Sequence, residues 1–210
     1  FTGEARFADW AERMLVNSVG ALPPVKPGGH ILYYESYYQN GGYKSIYDRR
    51  IWPHSGVTFA WVCCTGTFPQ DMAEYYNMLY YHDAESLYVT QYLPSKVEWK
   101  KDGANITVTN FSEYPFEERV KFSVHTDKAV RFSLKLRVPA WLKRPAFILI
   151  NGARTDIKAE PNGWAVVERD WKDGDMVAME LPFDLYFKPV DADHPHLMAL
   201  LCGPIVLVTD

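Results

Sequence analysis

The chain has 210 residues and a formal net charge of −4, from 22 Lys and Arg against 26 Asp and Glu, so it is long enough for one large domain or two small ones. No run of like charge supplies the clustered cations that phosphate binding needs, which disfavours a nucleic-acid surface. The longest apolar stretch, Leu197–Val208, is shorter than the roughly 20 residues that span a bilayer and is interrupted at Gly203-Pro204, so no membrane segment is predicted.

The first predicted element is an amphipathic helix over residues 5–19. Its apolar residues recur at helical spacing, and Gly20 with Pro23-Pro24 ends the run; they are Phe7, Trp10, Ala11, Met14, Leu15 and Val19. Residues 27–62 are irregular, because glycine pairs and prolines break up short aromatic pieces. They are predicted to form a long loop with one or two short strands, and loops of this length in compact domains are often functional.

Two adjacent cysteines, Cys63 and Cys64, lie just before a second predicted helix, which begins after Thr67 and ends near Tyr81. The N-terminus of a helix favours a thiolate, so the pKa of a cysteine placed there falls and its sulfur becomes a nucleophile or a metal ligand. The alternative is a pair of small buried hydrophobic side chains, which is how free cysteine usually behaves. With Cys202 the count is odd, and adjacent cysteines bridge each other poorly, so no disulfide framework is expected.

Beyond Leu87 the apolar period changes to two, which predicts strands over Tyr88–Tyr92, Ile106–Thr109, Val120–Val124, Phe132–Val138, Phe147–Ile150, Trp164–Val167, Met176–Leu181 and Leu197–Val208. In Arg131–Val138 polar and apolar residues alternate strictly, as expected when one face is wet and the other packs inward. Tight-turn dipeptides separate several of these strands: Asn151-Gly152, Asn162-Gly163 and Asp173-Gly174. Short strands with turn signals between them predict a β-sandwich.

The remaining titratable residues form no motif. His30, His54 and His82 have no partner at i, i+4 spacing, so each is predicted to be a loop or helix-end residue rather than a metal ligand. His125, His194 and His196 are predicted to lie on the surface of the sandwich. The carboxylates of the first half are not paired by local geometry and are assigned no catalytic role.

Several segments are informative when they are taken in order along the chain: Ala5–Trp10 with Glu12-Arg13 and Asn17, Cys63-Cys64, Asp83–Tyr88, Leu136–Trp141, Asn151-Gly152, Trp171–Asp175 and Cys202-Gly203-Pro204. Together they resemble glycoside hydrolase family 127, which comprises β-L-arabinofuranosidases and their relatives. The resemblance covers nearly the whole chain. It implies an α+β protein in two parts, in which residues 1–86 form the C-terminal portion of an (α/α)6 barrel and residues 87–210 form an antiparallel β-sandwich.

The resemblance also implies a reaction and a set of site residues. The reaction is retaining hydrolysis of β-L-arabinofuranosides or similar plant-derived sugars, with Cys63 as the nucleophile at the anomeric carbon. Cys63 and Cys64 would hold Zn²⁺, and Tyr34 would contact the carbohydrate substrate. For Tyr34 the alternative is a packed aromatic side chain, which is an equally common role for tyrosine.

Part of this machinery is expected to precede Phe1. The resemblance implies that the other zinc ligands, from a Glu-x-Cys motif, and the acid/base Glu lie in the N-terminal remainder of the same protein, so this chain alone is expected to lack activity. The chain shows no signal peptide and does not begin with Met, and we expect it to start within a longer protein. Two alternatives are a non-catalytic carbohydrate-binding or structural β-sandwich module and a purely structural zinc site. The sugar, its linkage and the cellular compartment are left open.

Overall fold

The structure, a computed structural model, describes residues 2–19, 35–37, 43–45, 70–71 and 73–207. Its helical elements include helix α1 (Ala5–Met14), a π-helix (Leu15–Val19) and a 3-10 helix (Tyr76–Met78), and residues 70–71 and 73–75 are also helical. No helix in these ranges is long and apolar enough to cross a bilayer. The strands in these ranges are β1 (Glu35–Tyr37), β2 (Tyr43–Ser45), β3 (Tyr80–His82), β4 (Ser86–Val89), β5 (Ser95–Lys101), β6 (Ala104–Asn110), β7 (Arg119–Thr126), β8 (Val130–Val138), β9 (Phe147–Ile150), β10 (Ala153–Arg154), β11 (Gly163–Trp171), β12 (Asp175–Glu180), β13 (Leu185–Pro189), β14 (Met198–Cys202) and β15 (Ile205–Leu207).

Two sheets enclose the core. One has six strands in the order β10-β9-β12-β7-β6-β5, and the other has four in the order β11-β8-β4-β3. Their inner faces meet in one apolar cluster, where Trp99 of β5 packs edge-on against Phe132 of β8 and Phe132 stacks on Trp171 of β11. Each sheet thus buries one apolar face against the other. The predicted β-sandwich is confirmed. The described residues do not show the predicted portion of the (α/α)6 barrel, which stays a prediction.

Strand β8 follows the predicted alternation with one exception. Phe132, Leu134 and Leu136 are buried, and Arg131 is exposed on the opposite face. Arg137 belongs by its position to the wet face, yet it is fully buried. The expectation is wrong for this residue because helix α1 lies against β8 and β11 and covers this end of the outer face.

One strand pair departs from the antiparallel prediction. Strand β4 runs parallel to β8, in the register Ser86↔Ser133 to Val89↔Leu136. Between them the chain crosses to the larger sheet, where it forms β5, β6 and β7, and then returns. Parallel neighbours need such a crossover because a tight hairpin cannot join them. Every other strand pair among the described residues is antiparallel.

Short turns with positive φ close two hairpins. Asn151 and Gly152, with φ of 51° and 81°, join β9 to β10 as their dipeptide predicts. Asp102 and Gly103, with φ of 50° and 71°, join β5 to β6 in the same way. Positive φ at both central residues is the mark of the type I′ turn, whose twist suits antiparallel strands. The Asp102-Gly103 turn and strand β5 are not in the sequence-based prediction.

The helix predicted after the cysteine pair ends earlier than expected. Residues 73–75 are helical, a 3-10 turn follows, and strand β3 already begins at Tyr80. The carboxylate of Asp83 accepts hydrogen bonds from the backbone N–H groups of Glu85 and Ser86, at 2.8 and 2.7 Å, and so reverses the chain into β4. The predicted domain boundary follows residue 86. Strand β3 lies before this boundary, yet it pairs with residues 87–89 of β4, which lie after it. The extent of the helical domain stays a prediction.

The C-terminal strands form a third sheet in the order β13-β14-β15. The stretch Leu197–Val208, predicted as one strand, contains two, because Gly203 with φ of 54° and Pro204 turn the chain between them. Strand β13, which the sequence analysis does not include, pairs with β14. Its side chains are mostly exposed, so they leave no clear alternation to read.

Helix α1 together with the π-helix confirms the helical segment predicted over residues 5–19. The face that it turns to the sandwich is acidic. Glu12 is 2% exposed, whereas Phe7, Trp10 and Met14 are 51%, 66% and 44% exposed. The apolar periodicity therefore identifies the helix but not the side that packs on the sheets.

Candidate functional site

The residues predicted to carry the chemistry lie outside the part of the chain that the structure describes. Tyr34, Cys63 and Cys64 all belong to that outside part, as do His30 and His54. Their roles therefore stay predictions. Within the described ranges, no group of three or more His, Cys, Asp or Glu side chains is arranged to hold a metal ion.

The histidines that the structure does describe have local partners. His125 lies 3.1 Å from a carboxylate oxygen of Asp173, and His194 lies 2.8 Å from one of Asp191. Both imidazoles are exposed, which confirms the predicted surface positions. His82 is also exposed, but it ends strand β3 rather than a helix.

The described residues instead bring together a buried polar cluster where α1 meets the sandwich. The Arg137 cluster consists of Asp9 and Glu12 of α1, Arg137 of β8, Tyr114, and Trp141 of the following loop. The Arg137 guanidinium donates hydrogen bonds to a carboxylate oxygen of Asp9 and to one of Glu12. Its Nε also donates to the backbone carbonyl of Thr90, at 2.6 Å.

The other members of the cluster complete the hydrogen bonding of the two carboxylates. The Tyr114 hydroxyl donates to Oε1 of Glu12 at 2.5 Å, and Nε1 of Trp141 donates to Oε2 at 3.0 Å. The second oxygen of Asp9 accepts from the backbone N–H of Ala140 at 2.8 Å. A buried ion pair persists only when such additional bonds satisfy its remaining lone pairs and protons. This cluster meets that condition.

Burial and charge act against each other on the pKa values of the cluster. Burial raises the pKa of the Asp9 carboxyl above its ordinary value, although the Arg137 guanidinium opposes the rise. Burial by itself would lower the pKa of Arg137, but the carboxylates of Glu12 and Asp9 raise it. Burial, followed by the Glu12 charge, raises the pKa of the Tyr114 hydroxyl well above 10.0. The guanidinium and the tyrosine therefore keep their protons at neutral pH, and the cluster acts as a fixed clamp.

A second contact ties the π-helix to the C-terminal sheet. The side-chain amide of Asn17 donates to the carbonyl of Pro204 at 2.8 Å, and its oxygen accepts from the backbone N–H of Val206 at 2.7 Å. Pro204 lies in the turn between β14 and β15, and Val206 lies in β15 just after it. One side chain thus bonds two backbone groups that are nearly 190 positions away along the chain.

Three of the segments that carry the family resemblance meet around α1. The first supplies Asp9, Glu12 and Asn17, the second supplies Arg137 with Trp141, and the third contains the turn at Gly203-Pro204. These segments carry the resemblance, but none of these residues was predicted to have a role. The available signal was their charge pattern, with two acidic residues at helical spacing and one arginine in an otherwise alternating strand.

Two cavities flank α1. One, of about 340 Å³, lies between the helix, the loop after β8 and strand β13, and it is lined by charged and aromatic side chains. The other, of about 380 Å³, lies along the exposed apolar face and is lined mainly by Phe7, Trp10, Met78 and Tyr81. The first is chemically suited to a polar ligand, and the second to an apolar contact.

Comparisons with known proteins agree with this architecture. Residues 86–183 match the family model described as the β-L-arabinofuranosidase GH127 middle domain. The crystal structure of a GH127 β-L-arabinofuranosidase from Geobacillus stearothermophilus T6 is similar to the chain, with a TM-score of 0.74 and 25% identity over 98% of this chain and 33% of that one. No curated protein matches the sequence.

Two further solved structures share the fold. One is described as a glycoside hydrolase, with a TM-score of 0.72 and 24% identity over 98% of this chain and 34% of that one. The other is a GH127 β-arabinofuranosidase, with a TM-score of 0.72 and 20% identity over 98% of this chain and 33% of that one. This chain therefore spans about a third of the length of the structures that it matches.

The sandwich is thus of the class that forms the middle domain of these glycosidases. The match of residues 86–183 and the similar crystal structure together support the assignment of this chain to glycoside hydrolase family 127.

Proposed function

We propose that the full-length protein is a retaining glycoside hydrolase that cleaves β-L-arabinofuranosides or similar plant-derived sugars, with Cys63 as its nucleophile. The observation that carries the proposal is the match of residues 86–183 to the GH127 middle domain. It is supported by the similarity of 98% of the chain to a β-L-arabinofuranosidase of the same family. The activity is assigned to the whole protein, because this chain spans a third of that relative.

In the proposed reaction the Cys63 thiolate attacks the anomeric carbon, and the glycosidic C–O bond breaks as a carboxylic acid protonates the leaving oxygen. Water, deprotonated by the same carboxylate, then displaces the sulfur and restores the thiolate. The sequence of two displacements retains the configuration of the sugar. We expect the acid/base Glu upstream of Phe1, and we propose Tyr34 as a contact of the bound sugar.

The cofactor that we propose is Zn²⁺. The donor atoms fit this ion, because thiolates such as those of Cys63 and Cys64 are the ligands of sulfur-rich zinc sites. We expect the remaining ligands upstream of Phe1. Bound zinc would keep the thiolates deprotonated and fix their direction.

The exposed face of α1 supports a larger helical domain. Phe7, Trp10 and Met14 form an apolar stripe on the exposed side of the helix. Such contiguous exposed apolar surface usually marks a contact with another protein surface. We propose that α1 belongs to the C-terminal portion of an (α/α)6 barrel, and that the N-terminal remainder of the same protein covers this stripe.

The test is Cys63→Ser in the full-length protein, assayed with a chromogenic β-L-arabinofuranoside. Loss of a covalent nucleophile is expected to lower kcat by about 10⁴-fold or more. Cys202→Ser is the matched control, because Cys202 is a free cysteine in strand β14 and has no proposed role. Its turnover should equal that of the wild type. Circular dichroism on both variants checks that the fold is kept.

Two outcomes would reject parts of the proposal. Turnover that survives Cys63→Ser would reject Cys63 as the nucleophile. A wild-type protein that cleaves no arabinofuranoside, and whose Cys63 and Cys64 are as inert toward a thiol reagent as buried cysteine, would favour a non-catalytic carbohydrate-binding module instead.

A further inference from the structure

The cleft beside the Arg137 cluster gathers three positive charges. Arg13 near the end of α1, Lys143 in the loop between β8 and β9, and Lys188 in β13 all line this space of about 340 Å³. None of the three forms an ion pair with a carboxylate in the part of the chain that the structure describes. We call this space the basic cleft. Cations from three separate elements that share one cleft attract an anion.

The two carboxylates at the back of the basic cleft offset only part of its positive charge, because they are already paired with a fourth cation, Arg137. Asp9 is bound by the Arg137 guanidinium and the backbone N–H of Ala140. Glu12 is bound by the same guanidinium and by the indole N–H of Trp141. The charge of Arg137 itself lies directly behind them, fully buried. A ligand in the cleft therefore meets an excess of positive charge.

Repulsion among the three positive charges affects the pKa of Lys188. Lys188 is an exposed residue, and its pKa is held below the ordinary lysine value, first by partial desolvation and then by the charges of Arg13 and Lys143. Like charges in one cleft raise the free energy of each charged form. A bound anion would relieve this repulsion, so the cleft gains more from an anion than isolated surface lysines would.

Aromatic rings form one wall of the basic cleft. Trp141 and Tyr186 are both half-buried. The indole N–H of Trp141 donates a hydrogen bond to Glu12, and the hydroxyl of Tyr186 donates one to the carbonyl of Gly203 at 3.1 Å. Nζ of Lys143 lies 5.2 Å from the centroid of the Tyr186 ring. Apolar ring faces beside cations suit a ligand that carries both an apolar face and a negative charge.

We propose that the basic cleft binds the carboxylate of an acidic sugar of the hexuronate class, with the sugar ring against the Trp141 and Tyr186 side of the cleft. The preference for an anion rests on the charges described above. The choice of a sugar as the molecule that bears the negative charge rests on the proposed function. A monosaccharide ring with one carboxylate is smaller than the cleft and presents both features at once.

The test is isothermal titration calorimetry of the full-length protein with glucuronate and with glucose, which differ at C6 alone. Glucuronate is expected to bind at least about ten-fold more tightly, the scale of one charge-assisted hydrogen bond. The double variant K143Q/K188Q should lose this advantage. The double variant K100Q/K158Q is the matched control, because it removes two positive charges from exposed lysines elsewhere on the surface, and it should bind as the wild type does.

Three results would overturn the proposal: equal binding of the two sugars, unchanged glucuronate binding by K143Q/K188Q, or inorganic phosphate that binds as tightly as glucuronate. The last would assign the cleft to anions in general. Binding is compared only among variants whose thermal unfolding matches the wild type. Since calorimetry measures no turnover, the glucuronate result stands or falls separately from the Cys63→Ser assay.

Discussion

Replacing Arg137 by methionine tests whether the Arg137 cluster holds α1 on the sandwich. Methionine keeps most of the side-chain length but removes every donor, so the carboxylates of Asp9 and Glu12 are left buried beside each other. Removing one partner of a buried ion pair typically destabilises a protein by about 3–5 kcal/mol. We expect a loss toward the lower end of that range, about 3–4 kcal/mol, because Tyr114 and Trp141 still donate to Glu12.

The matched control is Arg131→Met, six positions earlier on the same strand. Arg131 pairs with Glu168 at 2.9 Å, but both side chains are more than half exposed. Exposed ion pairs contribute about 0–1 kcal/mol, so the control should change the free energy of unfolding little. Urea unfolding followed by tryptophan fluorescence measures both variants.

The pH dependence gives a second measurement on Arg137→Met. Burial already raises the pKa of Asp9 above its ordinary 3.8, and without the guanidinium only the hydrogen bond from the backbone N–H of Ala140 opposes that rise. A carboxyl whose pKa is higher in the folded than in the unfolded protein favours folding below the unfolded value and loses this effect as the pH rises through the folded value. The deficit of Arg137→Met should therefore shrink as the pH is lowered from 7 toward 4. Equal stability of the Arg137 and Arg131 variants, or a deficit that does not change with pH, would refute the reasoning.

Two further predictions concern the turn between β14 and β15. Asn17→Ala removes two hydrogen bonds to this turn and should destabilise it by about 1–3 kcal/mol. Hydrogen exchange at the Val206 amide would report this as lost protection, whereas unchanged protection would show that Asn17 does not hold the turn. Gly203→Ala should lower Tm more than Gly152→Ala, because both glycines have positive φ but only at Gly203 would the new Cβ lie 2.9 Å from the ring of Phe183. Equal Tm losses would show that the ring moves aside without cost.

The sandwich strands were largely predictable because their signal is local. Strand β9 matches its prediction at both ends, and the Asn151-Gly152 turn has the backbone conformation that its dipeptide favours. Strand β5 was equally readable in principle, since Val97 and Trp99 alternate with charged residues before the Asp102-Gly103 turn. The candidate nucleophile, by contrast, rests on residues outside the described ranges and stays a prediction.

Sequence by itself determined the first helical segment, most of the sandwich strands and the Asn151-Gly152 turn, because those preferences depend on residues within a few positions of each other. Only the tertiary structure decided that Arg137 is buried and that Glu12 rather than Trp10 faces the sandwich. The two halves of this contact lie about 125 residues apart along the chain. An alternating strand shows which side chains share a face, but burial of that face depends on which distant element packs against it.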